Sequence, residues 1–286
     1  YSHCIEALSA GVVSPRAQTL RAVALELERL ANHVGDLGAL ANDVGYLPTA
    51  AYCGRLRGDF LNMTGEICGN RFGRDWVKPG GVRFDVEPER AGVMLERLAA
   101  AARHAEGAIR LLWETPSVMA RFEETGVVTR ERALELGLVG VAARACGLER
   151  DVRYEFPLGA YQFNQIPVAT GTSGDVFSRA WVRWMEIQRS IEFIKEQLKA
   201  LPAGPVREVT GALAPQAIAV ALVEGWRGEI CHVAVTGADG RFLRYKVVDP
   251  SFHNWMGLAW ALRGQQISDF PLCNKSFNLS YCGHDL

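Results

Sequence analysis

The sequence predicts a predominantly α-helical α+β fold, a core of long helices with a small antiparallel sheet. Three observations predict it. Leu20, Val23, Leu27, Leu30, Val34 and Leu37 recur at intervals of three and four, the stripe of an amphipathic helix. Val176, Trp181, Trp184, Ile187, Ile191 and Ile194 repeat that pattern between Gly174 and Ala200. Residues 229–236 and 241–248 are strand-like and are joined by Gly237-Ala-Asp-Gly240, a hairpin signal.

A first short helix is predicted over residues 1–8. Ser14-Pro15 reads as an N-cap followed by proline in the first turn, opening a helix to about residue 42. Gly45 and Pro48 break it, and a second helix follows over 49–65. Lys78-Pro-Gly-Gly predicts a tight reversal before a short strand at 82–86. A long helix is expected over 87–113, with acids in its first turn where the helix dipole favours them. Shorter helices are expected at 116–124 and 129–136. Residues 147–172 have little periodicity and read as an ordered loop region. A small-residue helix is expected at 212–223, and Asp249-Pro250-Ser251 caps another over 252–263. The whole of 1–286 reads as one domain. Its abrupt start at Tyr1, inside a predicted helix, suggests N-terminal truncation.

Composition narrows the function classes. With 31 Lys+Arg against 32 Asp+Glu, the net charge is −1. No basic block favours nucleic acid or an anionic membrane surface. No apolar run reaches the roughly 18 residues of a membrane span, so a membrane role would come through partners. The seven cysteines are odd in number and never spaced C-x-x-C, which predicts reduced thiols in a cytoplasmic compartment.

Read by residue type, the candidates for chemistry are few. Arg29, His33, Asp36 and Asp43 share one face of the first long helix, either as a solvated polar face or as a buried polar seam lining a site. Arg227, set between glycines in Glu224-Gly-Trp-Arg-Gly-Glu229, either reaches into a cleft or sits on an exposed turn. Gly171-Thr-Ser-Gly-Asp175 precedes a helix N-terminus and reads as capping or as an anion cradle. No nucleophile elbow, H-E-x-x-H or zinc-type spacing is present.

A set of ordered motifs adds a resemblance. Arg16-Ala-Gln-Thr-Leu-Arg21, Glu26-Leu-Glu-Arg-Leu-Ala-Asn-His33 and Asp43-Val-Gly come first. Gly69-Asn-Arg-Phe72 and Gly80-Gly-Val-Arg-Phe-Asp85 follow, then Gly174-Asp-Val-Phe-Ser-Arg179 with Arg183, Glu186 and Ser190. Glu224-Gly-Trp-Arg-Gly-Glu229, Pro250-Ser-Phe-His-Asn254 and Ser276-Phe-Asn278 complete the series. Together they resemble the nickel–iron hydrogenase large subunit and the 49-kDa subunit of respiratory complex I, along essentially the whole chain. The texture of Asp269-Phe-Pro-Leu272 and Asn274-Lys-Ser-Phe-Asn-Leu-Ser280 is similar to the energy-converting hydrogenase-like branch.

The resemblance implies an oxidoreductase subunit that works only within a multi-subunit complex. The family's nickel–iron centre uses two pairs of thiolates. Here Ser280 and Gly283 fall on the second pair, Cys282 is one residue off, and the first pair would precede Tyr1. The expectation is therefore no metal and no cofactor bound by this chain. A quinone would bind at a subunit interface, with an iron–sulfur cluster on a partner. Asp43 matches the aspartate that hydrogen-bonds the quinone-site histidine, and Arg227 the arginine overhanging the metal. These two are the expected catalytic residues, and His33 and Ser280 are expected to line the cavity. The histidine beside the terminal cluster falls on Gly73. Expected partners are the small iron–sulfur subunit and other peripheral-arm and membrane subunits, with the chain lying in the cytoplasm against the inner face of the membrane. The alternatives are a hydrogenase large subunit of the formate-hydrogenlyase kind and a redox-silent scaffold.

Overall fold

Ser14 starts the first long helix as its sequence predicts: its hydroxyl accepts the Ala17 amide at 3.1 Å, with Pro15 in the first turn. In the computed structural model, which describes Tyr1–Asp285, a short α1 (Ser2–Leu8) precedes this helix, α2 (Pro15–Asp43). The α2 stripe from Leu20 to Leu37 has no exposed surface. Burying each such leucine is worth roughly 1.5–3 kcal/mol. α3 (Leu47–Cys68) ends on Gly69 in the left-handed region, where glycine carries no Cβ penalty. A minimal ribbon, β1 (Val77–Lys78) with β2 (Gly81–Val82), separates it from α4 (Pro88–Trp113). The strand expected to run to residue 86 is cut to Gly81–Val82: the Arg83 amide still bonds the Trp76 carbonyl, and beyond it the Val86 amide turns to the Asp85 carboxylate.

Four short helices follow: α5 (Pro116–Phe122), α6 (Arg130–Glu135), α7 (Gly140–Arg144) and α8 (Val152–Glu155). Then α9 (Val176–Lys199) is capped by the Asp175 carboxylate, which accepts the Ser178 amide at 2.8 Å. α2 packs between α3 and α9, and α4 closes the group against α3 and α9. Their facing apolar side chains form the main core.

A three-stranded antiparallel sheet carries β3 (Ile218–Gly225), β4 (Gly228–Thr236) and β5 (Phe242–Val248) in that order. β3 corrects the helix expected at 212–223. Its alanines have helical propensity, but Ala219 and Ala221 alternate with the exposed Ile218 and Val220. These small side chains let α1, through Cys4 and Leu8, lie on the sheet, so tertiary fit overrides propensity. α10 (Pro250–Ala261), α11 (Phe270–Phe277) and α12 (Tyr281–His284) complete the chain. Among the described residues all seven cysteines are free, and no helix is long and apolar enough to cross a membrane.

Candidate functional site

The polar face of α2 is a buried seam, and α9 supplies its partners. Glu26, Arg29 and His33 have no exposed surface, and Asp36 is 5% exposed. Their spacing of three and four brings them to one side of α2, opposite Ser190, Glu186 and Arg183 of α9. Ser190 donates to Glu26 at 2.5 Å, His33 Nε2 meets Glu186 at 2.7 Å, and Arg183 Nε donates to Asp36 at 2.9 Å. Charges this deep are stable only when paired and hydrogen-bonded.

Neighbouring loops complete the pairing. Arg144 of α7 bonds Glu186 at 2.8 Å and Glu224 at 2.8 Å. Arg153 of α8 bridges Asp151 and Glu26, and Tyr161 donates to Glu26 at 2.7 Å. Arg29 holds the β3 end through the carbonyls of Glu224 and Gly225. Burial pushes the Glu186 carboxyl up, but Arg144 and the His33 hydrogen bond outweigh it and hold it well below the usual range. Burial opposes Arg29 and Arg153 at Glu26 with the same outcome. Asp151, also buried, is brought down to about 2 by Arg153 and Arg144. Burial lowers His33, which therefore sits neutral with Nε2–H donating to Glu186. Sequence reading missed Arg144, Asp151, Arg153 and Tyr161, because they lie in the aperiodic stretch and in a five-residue helix, where no spacing marks them.

At one end of this seam is Arg227. Gly225 pairs with Gly228 across β3 and β4, leaving Trp226-Arg227 as the two-residue turn. The turn is set by a backbone-to-backbone contact: Gly140, at φ +62°, presses on the Arg227 carbonyl and on Gly228. The Arg227 guanidinium stacks on Trp226 at 3.8 Å, and Nε donates to the Asn278 carbonyl at 2.5 Å. Asn278, in the left-handed region, donates its side-chain amide to the second oxygen of Asp36 at 2.7 Å. Arg227, Asn278, Asp36 and Arg183 thus form one connected chain. Asp249 and Cys282 lie within electrostatic reach of Arg227, whose pKa is lowered by burial.

The remaining expected residues fall around this corner or apart from it. Ser280 caps α12, its hydroxyl accepting the Gly283 amide at 2.9 Å. A β-carbon at Gly283 would lie 2.6 Å from Asp249 Cγ and 2.8–2.9 Å from its oxygens. Cys282 is exposed, with its sulfur 3.3 Å from the Ser280 hydroxyl. One exposed thiol, a committed hydroxyl and a glycine packed on a carboxylate do not fit the paired soft donors that a nickel–iron centre requires. His33 is enclosed in the seam. Asp43 is half-buried two turns beyond Asp36, beside Asn42 and Lys275; burial raises its pKa and Lys275 opposes the rise.

Behind the Arg227 turn is a cavity of about 390 Å³. Leu25, Trp76, Tyr161 and Trp226 form its apolar wall, and Arg71, Gly73 and Glu224 also border it. Trp226 borders this cavity, and the Arg227 guanidinium stacked on its ring is held by the Asn278 carbonyl.

Comparison with known proteins agrees with this architecture. Residues 43–217 match the family model described as the 49 kDa subunit of respiratory-chain NADH dehydrogenase. NADH-quinone oxidoreductase subunit 4 of Thermus thermophilus is 32% identical over 94% of this chain and 72% of its own length. A carbon monoxide-induced hydrogenase of Rhodospirillum rubrum is 32% identical over 97% of this chain and 77% of its own. An NADH-quinone oxidoreductase subunit of Akkermansia muciniphila is 28% identical over 97% of this chain and 74% of its own. The chain belongs to the family of the 49 kDa subunit of respiratory-chain NADH dehydrogenase, within the superfamily it shares with hydrogenase large subunits.

Proposed function

We propose that this chain is the large subunit of a complex-I-like oxidoreductase held, through other subunits, on the inner face of a membrane. In this reading a small iron–sulfur partner delivers electrons, and a quinone-type acceptor is reduced where Arg227, Asn278 and Ser280 meet. The donor set of this corner carries the reading: Ser280 is committed as a cap, Gly283 offers no side chain, and Cys282 is a lone exposed thiol. The space near Arg227 is polar, with Asp36, Asn278 and Asp249 around it, which supports a working site over a redox-silent scaffold.

Reducing a quinone carbonyl to a hydroxyl adds electrons and protons together, so donors must stand close to the headgroup. Arg227 has one nitrogen committed to Asn278 and its terminal nitrogens available to a carbonyl oxygen. Asp43, pushed upward by burial, is suited to tuning a neighbouring proton donor. Asp43→Asn in the assembled complex is expected to lower quinone-dependent turnover while leaving reduction of an artificial acceptor by the upstream clusters intact. Wild-type quinone turnover in that variant would overturn the assignment. The similarity to the carbon monoxide-induced hydrogenase favours a second reading, a hydrogenase large subunit. Stoichiometric nickel in the purified complex would select it.

A further inference from the structure

The buried seam contains an imbalance of charge. Among the described residues, three guanidinium groups, Arg29, Arg144 and Arg153, are in direct contact with four carboxyl groups, Glu26, Asp151, Glu186 and Glu224. All seven side chains are 3% exposed or less. With His33 neutral, full ionisation would leave one uncompensated negative charge in an enclosed space, which a low-dielectric interior strongly disfavours. Taking up one proton removes that charge.

Geometry selects where the proton goes. Glu26 accepts from Arg29, Arg153, Tyr161 and Ser190. Asp151 accepts two guanidinium nitrogens and the backbone amide of Arg153. Glu186 accepts from His33 and from Arg144. Each of these three has guanidinium nitrogens of two different arginines against it. His33 is disfavoured as the carrier: its Nδ1 is buried with no partner among the described residues, and Arg29 and Arg183 both oppose a positive ring.

Glu224 differs in its cations: among the described residues a single arginine, Arg144, meets it. Its carboxyl accepts Arg144 Nη1, at 2.8 Å, and the Val152 amide, at 3.1 Å. It shares Arg144 with Glu186 and with Asp151, so that guanidinium is divided among three acids. Glu224 also borders the cavity, with its side chain 1% exposed, so a small displacement brings cavity water to it.

We propose that Glu224 is a proton-binding site, the neutral and exchangeable carboxyl of an otherwise ionised cluster, at the border of the cavity behind the Arg227 turn. A proton from the aqueous phase joins a carboxylate oxygen through cavity water and leaves by the same route, with no electron transferred. Groups facing Glu224 are Arg144 from α7, Asp151 and Arg153 at the start of α8, Arg29 from α2, and Glu186 of α9 beyond Arg144. Burial raises the Glu224 carboxyl above the ordinary range, consistent with this role. The proposal does not depend on which acceptor the complex reduces.

Infrared spectroscopy of the purified full-length protein in its complex tests it. The wild type is expected to show, at neutral pH, a protonated-carboxyl C=O band that shifts in heavy water and is absent in Glu224→Gln. Glu224→Gln is also expected to assemble normally, because an amide replaces an already neutral carboxyl. Its stability is expected to fall less with rising pH than that of the wild type. Wild type and variant with identical carboxyl bands would overturn the proposal. A wild type with no protonated-carboxyl band at neutral pH would overturn it whether or not Glu224→Gln assembles.

Discussion

Arg183 meets Asp36 at 2.9 Å across the α2–α9 interface, and this pair joins the buried seam to the Arg227 corner through Asn278. Asp36→Ala leaves the Arg183 guanidinium, 1% exposed, without its carboxylate. The expected cost is about 3–5 kcal/mol, read by denaturant unfolding, with loss of turnover as Asn278 and Arg227 lose their anchor. Replacing both partners with apolar residues of similar volume is expected to cost less than the single change. A single variant within about 1 kcal/mol of wild type would mean that the pair behaves as a surface bridge does.

Gly140 sets the position of the Arg227 turn. A β-carbon there would collide with the Arg227 carbonyl and Gly228, and φ +62° is itself costly for an L-residue. Gly140→Ala is expected to cost roughly 1–3 kcal/mol and to lower acceptor turnover by displacing Arg227. Thermal unfolding and steady-state rates check both effects.

Gly283→Cys does not build a nickel–iron corner, because its β-carbon must displace the Asp249 carboxylate that caps α10 and Ser280 still supplies a hydroxyl in place of a thiolate. The variant is expected to unfold at lower temperature than wild type and to bind no nickel. Adding Asp249→Ala is expected to recover part of the steric loss while removing the α10 cap, whose hydrogen bond to Ser251 is 2.8 Å. A Gly283→Cys protein as stable as wild type would show that this contact relaxes freely.

Acid sensitivity follows from the seam. Glu26, Asp151 and Glu186 have folded pKa values below their ordinary ones. The unfolded chain therefore binds more protons, and stability falls as pH drops from the ordinary carboxylate range through the folded values. Asp151, moving from 3.8 to about 2, contributes on the order of 2 kcal/mol over that window. Unfolding free energy measured from neutral pH down to pH near 3 is expected to decline, and to decline less in Glu26→Gln than in wild type.

The long helices and the β4–β5 hairpin were legible because their signals are local: an apolar stripe, an N-cap serine, a glycine-flanked turn. The seam was half legible. Spacing placed Arg29, His33 and Asp36 on one face, but only the partners on α9, far away in sequence, decide that this face is buried. β3 was misread because its alanines answer to α1, which lies on the sheet, and not to their own propensity. The cluster acids and arginines at 144–153 were invisible, since an aperiodic segment gives no face on which to place them. The resemblance set Gly283 on a thiolate position, whereas its contact with Asp249 depends on a residue more than 30 positions earlier.

The order of charges along α2 and α9 has a mechanical consequence. Sliding one helix past the other by a turn, about 5.4 Å, is penalised in both directions. One slip sets Glu186 opposite Asp36, acid against acid. The other carries Arg183 from Asp36 to His33 and leaves the buried aspartate with the neutral Asn278 amide but no cation. The two helices are thereby keyed to a single alignment, and whatever binds at the Arg227 corner meets a surface that cannot ratchet.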